Sequence, residues 1–336
     1  MSAAAVPPVR LDEFARIARY WKPLARGFPG ALGLADDAAV FPVPSDQHLV
    51  VTTDALVAGV HFLHDDPPAD VAAKLLRTNL SDLAAMGATP LAFTLVTALP
   101  QTLEESWLAD FAEGLAQEQA RFAIALIGGD SVSTSGPVTL SVTALGLAPL
   151  GQALLRGTAR PGDRVFVSGT IGDAVLGLQV AQGRLRCADD GMLLNRFRRP
   201  EPRLGVGRGL LRLASAAIDV SDGLIADLGH IARESRVCLS LEAARVPLST
   251  AARNQLRAGE TTLAALLTGG DDYELAFTAP ATARPALAAL AGRCGVPITE
   301  IGMVEEAGDA PGRVIVHDEA GQPLVFPTGG GWRHFA

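Results

Sequence analysis

Lysine is almost missing from this chain, with Lys22 and Lys74 the only two in 336 residues. A Walker A phosphate loop requires Gly-Lys-Ser/Thr, and neither lysine stands in one; the His-Arg-Asp loop of protein kinases is missing too. Arginine supplies the remaining positive charge without forming a basic run, and the net charge is −8, so the cationic stripe needed for non-specific nucleic-acid binding is lacking. Cys187, Cys238 and Cys294 are the only cysteines, show no metal-ligand spacing and suggest no disulfide framework, which points to a reducing cytoplasm. No His pair has zinc-ligand spacing on a helix, and no Gly-x-Ser-x-Gly surrounds Ser221. Gly205-Val206-Gly207-Arg208-Gly209 is not a dinucleotide fingerprint and reads as a glycine-tolerant helix start. Uncharged stretches at 83–100 and 131–155 are broken by Gly and Pro, and read as helix end plus strand and loop plus strand rather than membrane spans. Residues 1–10 have no apolar h-region and are not read as a secretory signal.

What is present is a well-packed composition, 49% hydrophobic and 19% charged, in a chain long enough for two domains of about 150 residues each. The Gly- and Pro-containing stretch 151–162 reads as the connection, giving domains 1–150 and 151–336. Periodicity predicts helices over 11–21, 70–86 and 103–121 and strands over 38–43, 48–53, 91–99, 122–127 and 138–148 in the first half. Pro23 is expected to end the first helix, and Gly128-Gly129-Asp130-Ser131 to follow the end of a strand. The second half predicts strands at 164–168, 217–220, 237–241, 274–278, 298–304 and 313–317, with helices near 173–182, 190–197, 203–214, 250–267 and 281–293, and one opened by Ser221-Asp222-Gly223 and running to 235. Such alternation indicates an α/β or α+β fold with mixed sheets.

Five acidic stretches share one pattern: Asp36-Asp37, Thr52-Thr53-Asp54, Asp82, Gly128-Gly129-Asp130 and Asp219-Val220-Ser221-Asp222. None has a Lys or Arg within two positions, and most sit where a strand meets a turn, the usual place for ligands in α/β proteins. Singly, each reads as a cap or turn aspartate, and Asp82 as a solvated acid near a helix end capped by Gly87. Together, carboxylate and hydroxyl oxygens without clustered thiols or imidazoles point to hard cations, Mg²⁺ above all, bridging a polyphosphate.

Thr53-Asp54-Ala55-Leu56-Val57-Ala58-Gly59-Val60-His61-Phe62, Asn79-Leu80-Ser81-Asp82-Leu83-Ala84-Ala85-Met86-Gly87-Ala88, Ile218-Asp219-Val220-Ser221-Asp222-Gly223-Leu224 and Gly269-Gly270-Asp271-Asp272-Tyr273-Glu274-Leu275 resemble, in order, the thiamine-monophosphate kinase family. The resemblance implies the two-domain architecture of the aminoimidazole-ribonucleotide-synthetase superfamily, with an N-terminal mixed sheet forming a barrel-like homodimer core. It implies phosphorylation of thiamine monophosphate by ATP, the last step in making thiamine diphosphate, with Mg²⁺ as cofactor. By the same resemblance Asp37, Thr52, Thr53, Asp54, Asp82, Asp130, Asp219 and Asp222 match Mg²⁺ ligands, with Asp82, Asp130 and Asp222 central to catalysis. Gly129, Asp130, Arg156 and Ser221 match positions around ATP; His61, Asp271 and Trp332 match positions touching the thiamine substrate. Ala35 stands where the family usually has Gly, which restricts the backbone if φ is positive there, and Asp271 stands where it usually has Glu.

Three other readings compete. Another superfamily member acting on a different acceptor is disfavoured because the chain lacks the N-terminal cysteine typical of one such relative and the terminal cysteine of another, and has the Thr53–Phe62 stretch that a third does not share. A non-catalytic nucleotide or thiamine-phosphate sensor has no need of the full aspartate set. A structural protein, with aspartates serving only as caps and turns, predicts no response to Mg²⁺-ATP.

Overall fold

The computed structural model describes residues 11–308, 311–326 and 331. Its elements are α1 (Glu13–Arg16), β1 (Gln47–Val57), α2 (Pro68–Ala85), β2 (Thr89–Pro100), α3 (Glu105–Phe122), β3 (Ala125–Thr134), β4 (Thr139–Pro149), β5 (Arg164–Ser168), α4 (Asp173–Ala181), α5 (Asp190–Arg198), α6 (Leu204–Leu210), β6 (Ala216–Asp219), α7 (Leu224–Ser235), β7 (Cys238–Glu242), α8 (Thr250–Ala258), α9 (Leu263–Thr268), β8 (Leu275–Ala279), α10 (Arg284–Cys294), β9 (Ile298–Glu305) and β10 (Val314–His317). A four-stranded sheet has the order β1-β4-β2-β3, and a six-stranded sheet the order β10-β7-β9-β5-β8-β6. Over the described residues, contacts divide the chain into two units: Met1–Pro42, Thr53–Leu76 and Leu91–Thr143 form one, and Val43–Thr52, Arg77–Pro90 and Ala144–Ala336 the other.

In the first unit β2 and β3 run parallel, joined by α3, with a register shift between Phe93 and Thr94. Trp21 is buried and meets Phe111 edge-on at 6.3 Å, while Trp107 stacks on the same ring at 5.3 Å. Three predictions need correction here. The segment 11–21 is a single α-turn followed by a π-turn over Ile17–Trp21, and Pro23 sits in a further 3₁₀ turn rather than ending the run. Residues 38–43 form no strand: Pro42 and Pro44 donate no backbone N–H, and Val40 donates its own to Gly30. The strand predicted to end before Gly128 instead continues through Asp130 to Thr134, because pairing with β2 carries the glycines in extended form.

In the second unit, alternation along the strands explains the two faces of the six-stranded sheet. Val165, Val167 and Ile218 pack with Leu224, Leu228 and Ile231 of α7 on one face. Phe166, Ala217 and Phe277 pack with Val206 and Leu210 of α6 and Leu287 and Leu290 of α10 on the other. Phe166 and Phe277 are register partners in β5 and β8 and stack at 5.4 Å. The end of α2 is closed as predicted by Gly87, at φ 69°: Gly87 donates to Ala84 O and Ala88 to Leu83 O, the paired bonds of a Schellman cap. The segments 203–214 and 250–267 are shorter in the structure, ending at Leu210 and splitting into α8 and α9.

Candidate active site

Within the second unit, three chain segments bring acidic residues together. The last turns of α2 carry Ser81, which is fully buried, and Asp82, which is partly so. Strand β6 ends at Asp219, 3% exposed, and the turn Val220–Gly223 leads into α7. Ser81 Oγ donates to Asp219 Oδ2 at 2.8 Å, and the Thr52 hydroxyl donates to Asp82 Oδ2. Burial pushes the Asp82 carboxyl above its usual range, against the pull of the Thr52 hydroxyl and the Arg156 charge. Asp219 is pushed well above, by burial first, then by repulsion from Asp82 and Asp227. Asp82 is therefore not the solvated helix-end acid of the bland reading.

The turn holding Ser221 and Asp222 is tied from behind by Asp227, whose Oδ2 accepts the N–H groups of Asp222 at 3.0 Å and Gly223 at 3.1 Å. Burial, then repulsion from Asp222, pushes the Asp227 carboxyl up to about 7. His230, one turn further along α7, is held below its usual value by burial and by the charges of Arg233 and Arg156. The third segment locks onto this turn: Asp271 N–H donates to Ser221 O and Tyr273 N–H to Val220 O, both at 2.8 Å. Asp271 and Tyr273 hold positive φ, 70° and 51°. Beneath them Glu274, fully buried, accepts bidentately from Arg203, from Arg196 at 2.9 Å and from Ser168 Oγ at 2.6 Å.

In the first unit, Asp130 is exposed on β3, with Oδ1 accepting Ser131 N–H at 2.8 Å. Ser131 Oγ is held by Trp21 Nε1 at 3.2 Å and bonded to Thr97 Oγ1 at 2.9 Å. Gly129 has no room for a side chain, since a Cβ there would lie 1.9 Å from Leu95 O. Thr53 bonds Thr143 at 2.8 Å, and Asp54 O accepts from Ser141 Oγ at 2.9 Å. Asp37 is exposed. Ala35 has φ −110°, so its replacement of glycine carries no strain; Leu32 and Leu34 hold the positive φ instead, both 52°. His61 Nδ1 accepts Val57 N–H at 3.0 Å, an assignment that leaves the ring proton on Nε2. Trp332 lies outside the described residues.

Sequence reasoning passed over Asp227, Asp272, Glu274, Arg196 and Arg203 as individual residues. Asp227 carried a local signal, an acid in the first turn of a helix four residues after Gly223, placed to reach back to free N–H groups. Arg196 and Arg203 carried none, being 78 and 71 residues from Glu274.

Residues 35–148 match the AIR synthase related protein N-terminal domain, and residues 160–314 its C-terminal domain. The thiamine-monophosphate kinase of Caulobacter vibrioides is 44% identical over 334 residues, covering 98% of this chain and 92% of that protein. The crystal structure of thiamine-monophosphate kinase from Stenotrophomonas maltophilia K279a superposes with a TM-score of 0.81 at 43% identity, covering 94% of this chain and 98% of that one. A further solved structure, AaThiL complexed with AMPPCP and TMP, gives a TM-score of 0.75 at 30% identity, covering 98% and 100%. The chain therefore belongs to the thiamine-monophosphate kinase family, within the AIR synthase related proteins.

Proposed function

We propose that this chain transfers the terminal phosphoryl group of ATP to thiamine monophosphate, giving thiamine diphosphate and ADP. The observation that carries the reading is the desolvated Asp82–Asp219 pair, whose carboxylates repel each other and are bonded by the hydroxyls of Thr52 and Ser81. An all-oxygen set with mutually repelling carboxylates fits a hard cation. Magnesium is usually held by one or two carboxylates and completed by substrate phosphates and water. That habit agrees with the finding that, among the described residues, no three His, Cys, Asp or Glu side chains cluster tightly enough to hold a metal alone. The relatives' activity and the AMPPCP and TMP complex support the same donor and acceptor.

Thr52, Asp82, Asp219 and Asp222 of the second unit, and Asp37, Thr53, Asp54 and Asp130 of the first, are the proposed Mg²⁺ ligands. Cations held by the ligands of either unit would neutralise phosphate charge and stabilise the transferred phosphoryl group. Gly129, Asp130, Arg156 and Ser221 serve ATP: backbone approaches closely at Gly129, and Arg156 brings positive charge. His61 offers Nε2–H to the thiamine substrate, and Asp271 a carboxylate. The attacking atom is a phosphate oxygen of the acceptor, anionic near neutral pH, so no side chain has to remove a proton. Transfer is direct and in line. Radioactive phosphate trapped covalently on the protein would overturn that step.

The division at residue 150 belongs to this reading, supported by family domains that end at 148 and begin at 160. So do a homodimer paired through the N-terminal sheets and a cytoplasmic location, the latter supported by three free cysteines. No described helix is long and apolar enough to cross a membrane.

A single-turnover assay with Mg²⁺-ATP and thiamine monophosphate, products separated by chromatography, tests the proposal. Thiamine diphosphate with matching ADP supports it. ATP consumption without thiamine diphosphate points to another acceptor. Nucleotide binding without turnover points to a sensor, and a thermal midpoint unmoved by Mg²⁺-ATP to a purely structural role for the aspartates.

A further inference from the structure

Asp271 is the one residue of the run Asp271–Glu274 that is not buried. It holds φ 70°, and Tyr273 two positions on holds φ 51°. Two non-glycine residues in the left-handed region so close together persist only where their surroundings over-determine the backbone. Aspartate tolerates that region better than most residues, which suits position 271. The residue between them supplies the constraint from inside. Asp272 is 1% exposed, and both its carboxylate oxygens are used: Oδ2 accepts Gly172 N–H at 2.7 Å and Oδ1 accepts Ala174 N–H at 3.1 Å. These are free N–H groups at the start of α4, so the loop is fastened to the end of a helix. Arg196 also donates to the Asp272 carbonyl at 3.3 Å.

We infer that Asp272 is a positioning residue: by gripping the first turn of α4 it fixes the backbone that aims Asp271 at the thiamine end of the substrate. This rests on the proposal that Asp271 touches that end. Asparagine at 272 keeps the shape but turns one acceptor oxygen into an N–H donor facing another N–H, which breaks one of the two bonds. The loop then loses its aim without losing its charged neighbours.

Steady-state kinetics on three variants test the inference. Asp272→Asn is expected to raise KM for thiamine monophosphate at least about tenfold, with kcat and KM for ATP within about twofold of wild type. Asp173→Asn is the control. Asp173 lies on the same turn of α4 and bonds Thr170 Oγ1 at 2.6 Å and Ser249 Oγ at 2.5 Å; it makes no hydrogen bond to the 269–274 loop and meets it only through Arg196, 4.0 Å away. It should lower the thermal midpoint and leave KM for thiamine monophosphate alone. Asp271→Ala should raise the same KM as Asp272→Asn does. If Asp271→Ala leaves that KM unchanged, the reading of Asp271 fails and the inference with it. If Asp271→Ala raises it while Asp272→Asn does not, or if Asp173→Asn matches Asp272→Asn, the inference alone is overturned. Should Asp272→Asn not fold, Asp272→Ser, smaller and uncharged, makes the same comparison.

Discussion

Ser81 Oγ and Asp219 Oδ2 lie 2.8 Å apart, joining two acidic stretches separated by 138 residues of sequence. Both residues are buried, so the hydroxyl is not replaceable by bulk water. Ser81→Ala removes a donor from a desolvated carboxylate and should cost about 1–3 kcal/mol of unfolding free energy at pH 7. Urea unfolding without Mg²⁺ measures it. A loss under about 0.5 kcal/mol would show that Asp219 does not depend on this bond.

Asp82 and Asp219 repel each other, and that repulsion is a cost the apo protein carries for its site. Asp82→Asn removes one of the two charges. The variant should melt at or above the wild-type temperature in the absence of Mg²⁺, while kcat falls at least about 100-fold. A thermal scan beside a kcat measurement decides it. Near-normal turnover would refute the central role of this carboxylate, and a melting point several degrees lower would refute the repulsion.

Gly129 sits where the backbone of β3 passes close to β2. With Leu95 O, N and C all within 3.0 Å of where a Cβ would stand, no side-chain rotation can relieve an added methyl. Gly129→Ala should destabilise by about 3 kcal/mol or more, and lose activity by displacing Asp130 beside it. A circular-dichroism melt checks the first part. A change of less than about 1 kcal/mol would mean that the strand can shift to make room.

The same strand shows what the sequence made legible and what it hid. β5 is read to the residue as Arg164–Ser168, because its apolar run is bounded by Gly162 and Gly169 and buried on both faces. β3 is cut short in the sequence reading because Gly128-Gly129-Asp130-Ser131 has the composition of a turn; only its pairing with β2 keeps it extended. The aspartates proposed to carry chemistry are visible as a set, through their missing cationic neighbours. Their supports are not. Asp227 hides inside an ordinary first helical turn, and Glu274 meets Arg203 and Arg196 only through tertiary folding. Local pattern singles out the residues proposed to face a ligand; the residues that hold them in place answer to contacts made at long range.

Two neighbouring buried acids, Asp272 and Glu274, should give opposite pH signatures. Burial alone would raise the Glu274 carboxyl, but the bonds and charges of Arg203 and Arg196 and the Ser168 hydroxyl outweigh it and hold the group below 4.5. Its contribution to stability is therefore present above about 4.5 and lost as pH falls through its folded value. Glu274→Gln leaves two half-buried guanidinium groups without their carboxylate, and should cost about 3–5 kcal/mol at pH 7, with the deficit shrinking in acid. Asp272 goes the other way. Burial lifts it from 3.8 to about 7, against the pull of Arg196 and the two donated N–H groups. Between those values the folded chain binds more protons than the unfolded one, so this group's contribution declines as pH rises from about 4 to about 7. Asp272→Asn removes the titration, and its stability relative to wild type should improve steadily across that window. Urea unfolding of both variants and the wild type in steps from pH 3 to pH 8 reads the two slopes directly, Glu274 below about 4.5 and Asp272 from about 4 to about 7. Parallel curves for Asp272→Asn and the wild type would show that Asp272 stays ionised throughout, held so by Arg196 and the turn of α4.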